Sequence, residues 1–184
     1  MKKYNTLWLL LIALFSIVAG CKKDTASTAT QLDILPPATQ IGANTFVCLV
    51  NGKVWIPKGY DGTGGSNPHV IFSTGLNGQP YLSIDTYQYI DNQSQGNIFV
   101  AFGNLNHSGY YPYQNDLDFL VGWSKVLGNC TTVAYDTTIK KWGGGQITKL
   151  DITNHIISGT FNFKFKTLQC DTVFITDGRF DIKF

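Results

Sequence analysis

Residues 160–166 read TFNFKFK. Phe161, Phe163 and Phe165 occupy every second position, with Thr160, Asn162, Lys164 and Lys166 between them. Successive side chains of an extended chain point to opposite faces, so this spelling builds one apolar face and one polar face. That is the pattern of a strand in an antiparallel sheet, packed on one side and wet on the other. The chain ends the same way: Phe180, Ile182 and Phe184 alternate with Arg179, Asp181 and Lys183.

Working back from these strands, the same texture recurs from Thr45 onward. "TFVCLVNGKVWI" is two β-favouring runs about Asn51-Gly52, a pair that suits a type I′ hairpin turn. "PHVIFST" and "PYLSIDTYQYI" follow, separated by the turn-rich "GLNGQ". "NIFVAFG", "DFLVGWSKV", "TTVAYD", "GGGQITKLDI", "HIISGTFNFKFKT" and "TVFITDGRFDIKF" complete the series. After residue 21 no segment keeps a helical repeat. About nine short strands divided by turns predict an all-β domain, a single antiparallel β-sandwich, with a small up-and-down, calycin-like barrel as the alternative. A domain of this length buries about two-thirds of its unfolded surface and needs no second domain.

The N-terminal stretch has another purpose. Lys2 and Lys3 precede an apolar run from Leu7 to Val18, followed by the small residues Ala19 and Gly20. The run falls short of the ~20 apolar residues a membrane-spanning helix needs, and reads as a signal peptide over residues 1–20. Val18-Ala19-Gly20-Cys21 resembles a bacterial lipobox. The resemblance implies that Cys21 is acylated on sulfur, becomes the first residue after cleavage, and anchors the chain to a membrane. Each buried methylene contributes about 0.8 kcal/mol, so acyl chains suffice without a spanning helix. Residues 21–44, rich in Thr and Ala with Pro36-Pro37, read as the lipidated cysteine and a tether, flexible first and then stiffened. The single folded domain is expected over residues 45–184. Within the tether, Asp24-Thr25-Ala26 resembles the short pattern at which Bacteroidota-type bacteria O-glycosylate exported proteins, which makes Thr25 a candidate acceptor.

Charge narrows the partners. The chain carries 14 basic and 12 acidic residues, and every acid is an aspartate. Lys2 and Lys3 leave with the signal peptide, so the mature protein is close to neutral. A neutral surface gives no electrostatic basis for binding nucleic acid or anionic lipid.

With Cys21 lipidated, Cys48, Cys130 and Cys170 are an odd set. Cys48 lies in an apolar run and suits a buried free thiol. Cys130 and Cys170 both adjoin turn residues and are the preferred disulfide, worth about 4 kcal/mol in the chain-entropy view. Pairings that use Cys48 stay open.

The opening "GANTFVCLVNGKVWIPKG" and the closing "ITKLDITNHIISGTFNFKF" and "ITDGRFDIKF" together resemble a group of uncharacterised Bacteroidota lipoproteins. The resemblance implies an envelope address, most simply the outer membrane, and an all-β architecture. It brings no activity, substrate or site residue with it. "CKKD" loosely resembles the charged tags of surface-exported lipoproteins but has fewer acids, which leaves the periplasmic or cell-surface face open. A terminal phenylalanine on an amphipathic strand also resembles an outer-membrane barrel, but charge on the exposed strand faces does not suit a lipid-facing surface.

Chemistry is sparse. His69, His107 and His155 sit in turn-like contexts with no partner at zinc-site spacing. "GTGG" at 62–65 and "GGG" at 143–145 lack the Lys-Ser/Thr of a phosphate loop. Asp116 and Asp118 are alternate residues and could supply the paired carboxylates of a glycosidase. With Asn115 they could instead ligate calcium, although such residues are also ordinary at a turn entering a strand. "SGYYPYQND" is the strongest surface feature. Tyr110, Tyr111 and Tyr113 flank Pro112 in an expected loop, and tyrosine offers a flat apolar face with a hydroxyl for stacking on a sugar or a partner protein. Trp142, in "KKWGGG", joins them as a candidate platform residue, whereas Trp55 and Trp123 are expected in the core. The expected function is therefore a lipid-anchored, non-catalytic envelope domain that binds a glycan or a protein partner without a cofactor. An envelope glycan hydrolase using the aspartates, or a purely structural surface lipoprotein, are the alternatives.

Overall fold

A computed structural model describes residues 31–59, 65–75, 78–91, 93–113, 118–124, 131–132, 139–166 and 171–184. Cys21, Thr25, Asn115, Asp116, Cys130 and Cys170 lie outside them, so the lipid, glycan, disulfide and paired-carboxylate assignments fall beyond the described structure.

Among the described residues eleven strands follow one another: β1 (Thr45–Val50), β2 (Lys53–Trp55), β3 (His69–Thr74), β4 (Pro80–Ile90), β5 (Gln93–Phe102), β6 (Gly109–Pro112), β7 (Phe119–Ser124), β8 (Thr131–Thr132), β9 (Lys140–Asp151), β10 (Ile156–Lys166) and β11 (Val173–Lys183). They form a six-stranded sheet in the order β2-β1-β11-β10-β9-β6 and a five-stranded sheet in the order β3-β4-β5-β7-β8. Every strand pairing is antiparallel, and the sheets do not close on each other. The architecture is the β-sandwich; the barrel alternative is set aside. Among the described residues no helix is long and apolar enough to cross a membrane.

Local chemistry sets the strands as the alternation predicts. Asn51 and Gly52 both have positive φ (49° and 76°), the geometry of the type I′ turn joining β1 to β2. Phe161, Phe163 and Phe165 are buried against the other sheet, as are Phe180 and Ile182 of β11. The rings then pack along and across the interior: Phe46 stacks at 5.0 Å on Phe161 of the same sheet, and Phe102 of the shorter sheet lies 5.7 Å from Phe180 of the longer one, tilted to it. Such contacts fix how the sheets sit, because aromatic rings combine large buried area with definite geometry. Beyond β11, Phe184 stacks on Phe72 of β3 at 4.1 Å and ties the chain end to the opposite sheet.

Cys48 is a buried free thiol on β1, and burial pushes its pKa up to about 12. The thiolate is the reactive form. Iodoacetamide should therefore leave Cys48 unmodified in the folded domain and modify it after denaturation, as read by peptide mass spectrometry.

Two features depart from the sequence reading. Gly109–Pro112, expected as loop, is an edge strand paired with Gly144–Ile147 of β9. Residues 31–44, expected as tether, lie against the outer face of the long sheet. Leu35 is buried there with Val47 and Leu49, and the carboxylate of Asp181 receives hydrogen bonds from Thr39, Ile41, Gly42 and Ala43. Alternation placed Asp181 on the wet face; it is on that face, yet 1% exposed, because this arm covers it.

Candidate ligand-binding face

The outer face of the six-stranded sheet is organised in two rows. Along β9, Trp142, Gly144 and Gln146 share it by alternation. Trp142 pairs with Lys164 of β10, which pairs with Phe174 of β11. In the second row Tyr110 of β6 pairs with Gln146, Gln146 with Thr160, and Thr160 with Arg179. The rows stand four residues apart on β9, or about 13 Å at the usual strand rise.

Among the described residues three large aromatic side chains stay open on this face: Tyr110 is 56% exposed, Trp142 48% and Phe174 45%. Lys164 lies between two of them, its Nζ 5.3 Å from the Trp142 ring centre and 5.0 Å from that of Phe174. Each contact is a cation–π attraction, worth about 0.5–1 kcal/mol at an exposed site. Together they hold the aromatic row in register. Tyr110 is held differently. Its ring reclines over Gly144, where an added Cβ would meet the phenol oxygen at 2.4 Å, and its hydroxyl reaches the carbonyl of Gly143 at 3.4 Å. An aromatic ring laid over an edge glycine replaces the packing that the glycine lacks.

The three-tyrosine platform is thereby corrected. Tyr111 is 5% exposed and packs edge-on against Phe102 at 5.7 Å. Its hydroxyl donates to the His107 carbonyl at 2.9 Å, and burial is the main cause of its raised pKa. Tyr113 is half-buried against the core, with Lys141 over its ring at 5.6 Å. A strand sends alternate residues to opposite faces, so a β-strand at 109–112 cannot present Tyr110 and Tyr111 together. The open set is Tyr110, Trp142 and Phe174. The signal for Phe174 was present in its apolar neighbours Val173 and Ile175, which face inward and leave it outward.

Beside the aromatic row, the arm and the sheet enclose a groove of about 660 Å³. Leu32, Leu35 and Pro37 form the arm side; Thr160, Asn162 and Arg179 line the sheet side. The open face and the groove thus share β10, whose outward residues run from Lys164 through Asn162 to Thr160. Asp33 and Asp177 add carboxylates to the lining.

Other places are less open to a ligand. A hollow of about 440 Å³ between the sheet ends is lined by the buried Trp55 and Trp123 with Gln88, Gln95 and Ser124. Its polar groups are mostly committed: Gln88 donates to the Ile56 carbonyl at 3.0 Å, and Ser124 Oγ donates to Asn97 Oδ1 at 3.1 Å. Asp118 stands before β7 rather than on it, and its carboxylate accepts from Asn104 Nδ2 at 2.6 Å. His69, His107 and His155 are exposed and dispersed. Among the described residues no three His, Cys, Asp or Glu gather as a metal site. Comparison of the chain with protein-family models, with curated proteins and with solved structures finds no match.

Proposed function

We propose that this protein is a lipid-anchored glycan-binding domain of the cell envelope, held at the membrane through Cys21 and non-catalytic. The observation that carries the reading is the row Trp142–Lys164–Phe174 with Tyr110 beside it, on an open sheet face that continues into a groove polar on its sheet side. A sugar ring has one apolar face and a hydroxyl rim. Flat aromatic surfaces suit the first, while Asn162, Thr160 and Gln146 suit the second, since amides and hydroxyls both donate and accept. A linear glycan is favoured over a compact ligand because the surface is elongated along β10 and lacks a deep enclosure.

Trp142 is the side chain to test, since it is exposed and its loss creates no core cavity. Trp142→Ala should weaken binding to a responsive oligosaccharide at least tenfold, about 1.4 kcal/mol, with little change in unfolding midpoint. Isothermal titration against a panel of neutral and acidic oligosaccharides, with thermal unfolding alongside, measures both. Undiminished affinity in the variant would remove the sheet face from consideration.

A further inference from the structure

We infer that the glycan taken by this face carries a carboxylate, as a uronic or sialic acid residue does, and that Arg179 receives it. The inference rests on the glycan-binding reading above and adds the sugar class. Arg179 is the only arginine in the chain. It lines the groove between the arm and the sheet, at the end of the row that begins with Tyr110. Among the described residues it has no ion-pair or hydrogen-bond partner for its side chain, and its Nε is shielded from water without an acceptor.

The neighbours explain why no described residue answers its charge. Its cross-strand partners are Thr160 and Val47, both uncharged. Asp181, two residues on, has its carboxylate filled by Thr39, Ser158 and the amides of residues 41–43. Asp177, two residues before, is exposed and makes no ion pair with it. Asp33, on the arm, lines the same groove and has an interaction of its own. A half-buried cation without a partner is costly, and a guanidinium is the side chain whose planar fork best matches a carboxylate. The hydroxyl of Thr160 and the amide of Asn162 lie along the same strand toward the aromatic row. An acidic sugar could thus place its carboxylate on Arg179 while the next rings reach Trp142. Asp177 offers an acceptor for sugar hydroxyls at the groove's edge.

The test uses the full chain, purified in detergent, against immobilised oligosaccharides that include neutral, sulfated, uronate-bearing and sialylated members. Each carboxylated member is paired with its carboxyl-reduced form. The expected result is binding to at least one carboxylated glycan, weakened tenfold or more when the carboxyl is reduced. Arg179→Gln should erase that preference while leaving binding to the reduced form, and Arg179→Lys should restore only part of it, because the charge returns without the fork. Trp142→Ala should weaken both forms together. Equal binding of the carboxylated and reduced forms, preference for sulfated or neutral members alone, or a preference that survives Arg179→Gln would overturn the inference while the glycan reading stands. Failure to bind any member would overturn both. Thermal unfolding of the Arg179 variants separates lost recognition from lost fold.

Discussion

Asp181→Asn should lift residues 39–43 from the long sheet and cost about 3 kcal/mol of stability. The carboxylate accepts from Thr39 Oγ1 at 2.6 Å, from the amides of Ile41, Gly42 and Ala43 at 3.0, 2.8 and 3.1 Å, and from Ser158 Oγ at 2.8 Å. Hydrogen bonds to a charged acceptor contribute about 1.5–3 kcal/mol each, so two lost bonds already account for the figure. Asparagine keeps one acceptor oxygen and turns an NH₂ group toward N–H donors. The loss stays below the sum of the bonds because the arm can detach and hydrate its freed amides. Burial pushes the Asp181 carboxyl pKa up, but the hydrogen bonds from Thr39, Ser158, Gly42 and Ile41 outweigh it and hold the pKa at about 2. The folded value is thus below the unfolded one, near 3.9. The contribution of the ionised group is therefore complete above about pH 4 and disappears as pH falls through 2, removing about 2 kcal/mol. Amide exchange at residues 41–43 measures the effect directly. Protection in the wild type at pH 6, absent in Asp181→Asn and declining in the wild type toward pH 2, is the expected pattern. Equal protection in both proteins would show that the arm is held by its other contacts, the buried Leu35 and the Lys149–Gln40 hydrogen bond among them.

The sandwich was legible because alternation is a local property. Thr160–Lys166 and Arg179–Phe184 declare their faces within seven residues, and Asn51-Gly52 declares its turn within two. What the sequence concealed depends on partners far along the chain. Asp181 looks like a solvated charge until residues 39–43, some 140 positions earlier, supply its donors. Nothing in "PPATQIGAN" has a period that would announce docking. β6 was missed for a related reason: Gly109 and Pro112 bracket two tyrosines like loop residues, and the strand exists through pairing with β9 across 32 or more positions. Its tyrosines were recognised as notable, but only the strand assignment shows that Tyr110 faces out while Tyr111 faces in. Trp142 was legible as exposed because glycines, not apolar residues, follow it. Arg179 was placed on the wet face correctly, but its lack of a partner is a property of the assembled sheet and arm.

Gly143→Ala should be the most damaging single methyl that can be added to the long sheet. Gly143 has φ +132°, and a Cβ there would fall 2.1 Å from the carbonyl oxygen of Asn162 and 2.7 Å from Cα of Phe163. These atoms are backbone of the adjoining strand, so no rotamer change relieves the collision; β9 and β10 must separate. Strained backbone conformations alone cost about 1–3 kcal/mol. Forcing the strands apart adds to this, for a total of about 4 kcal/mol or more, in the range that marks a broken structural feature. Gly52→Ala is the matched control. Its φ is +76°, but nothing lies within 4 Å of the added methyl, so only the conformational cost of about 1 kcal/mol applies. Urea unfolding of the two variants separates steric cost from backbone strain. If Gly143→Ala loses no more stability than Gly52→Ala, the close approach of β9 to β10 is not tightly held. The consequence reaches the proposed site, because the Gly143 carbonyl accepts from the Tyr113 amide at 2.9 Å and from the Tyr110 hydroxyl at 3.4 Å. Moving this one peptide releases the end of β6 and the ring of Tyr110 together. Glycan affinity should therefore fall in Gly143→Ala even under conditions where the domain stays folded, and should be unchanged in Gly52→Ala. The triple glycine after Trp142 is then intelligible: Gly143 admits the neighbouring strand, Gly144 admits the Tyr110 ring on the outer face, and Gly145 leaves room for Phe102 and Phe119 on the inner face.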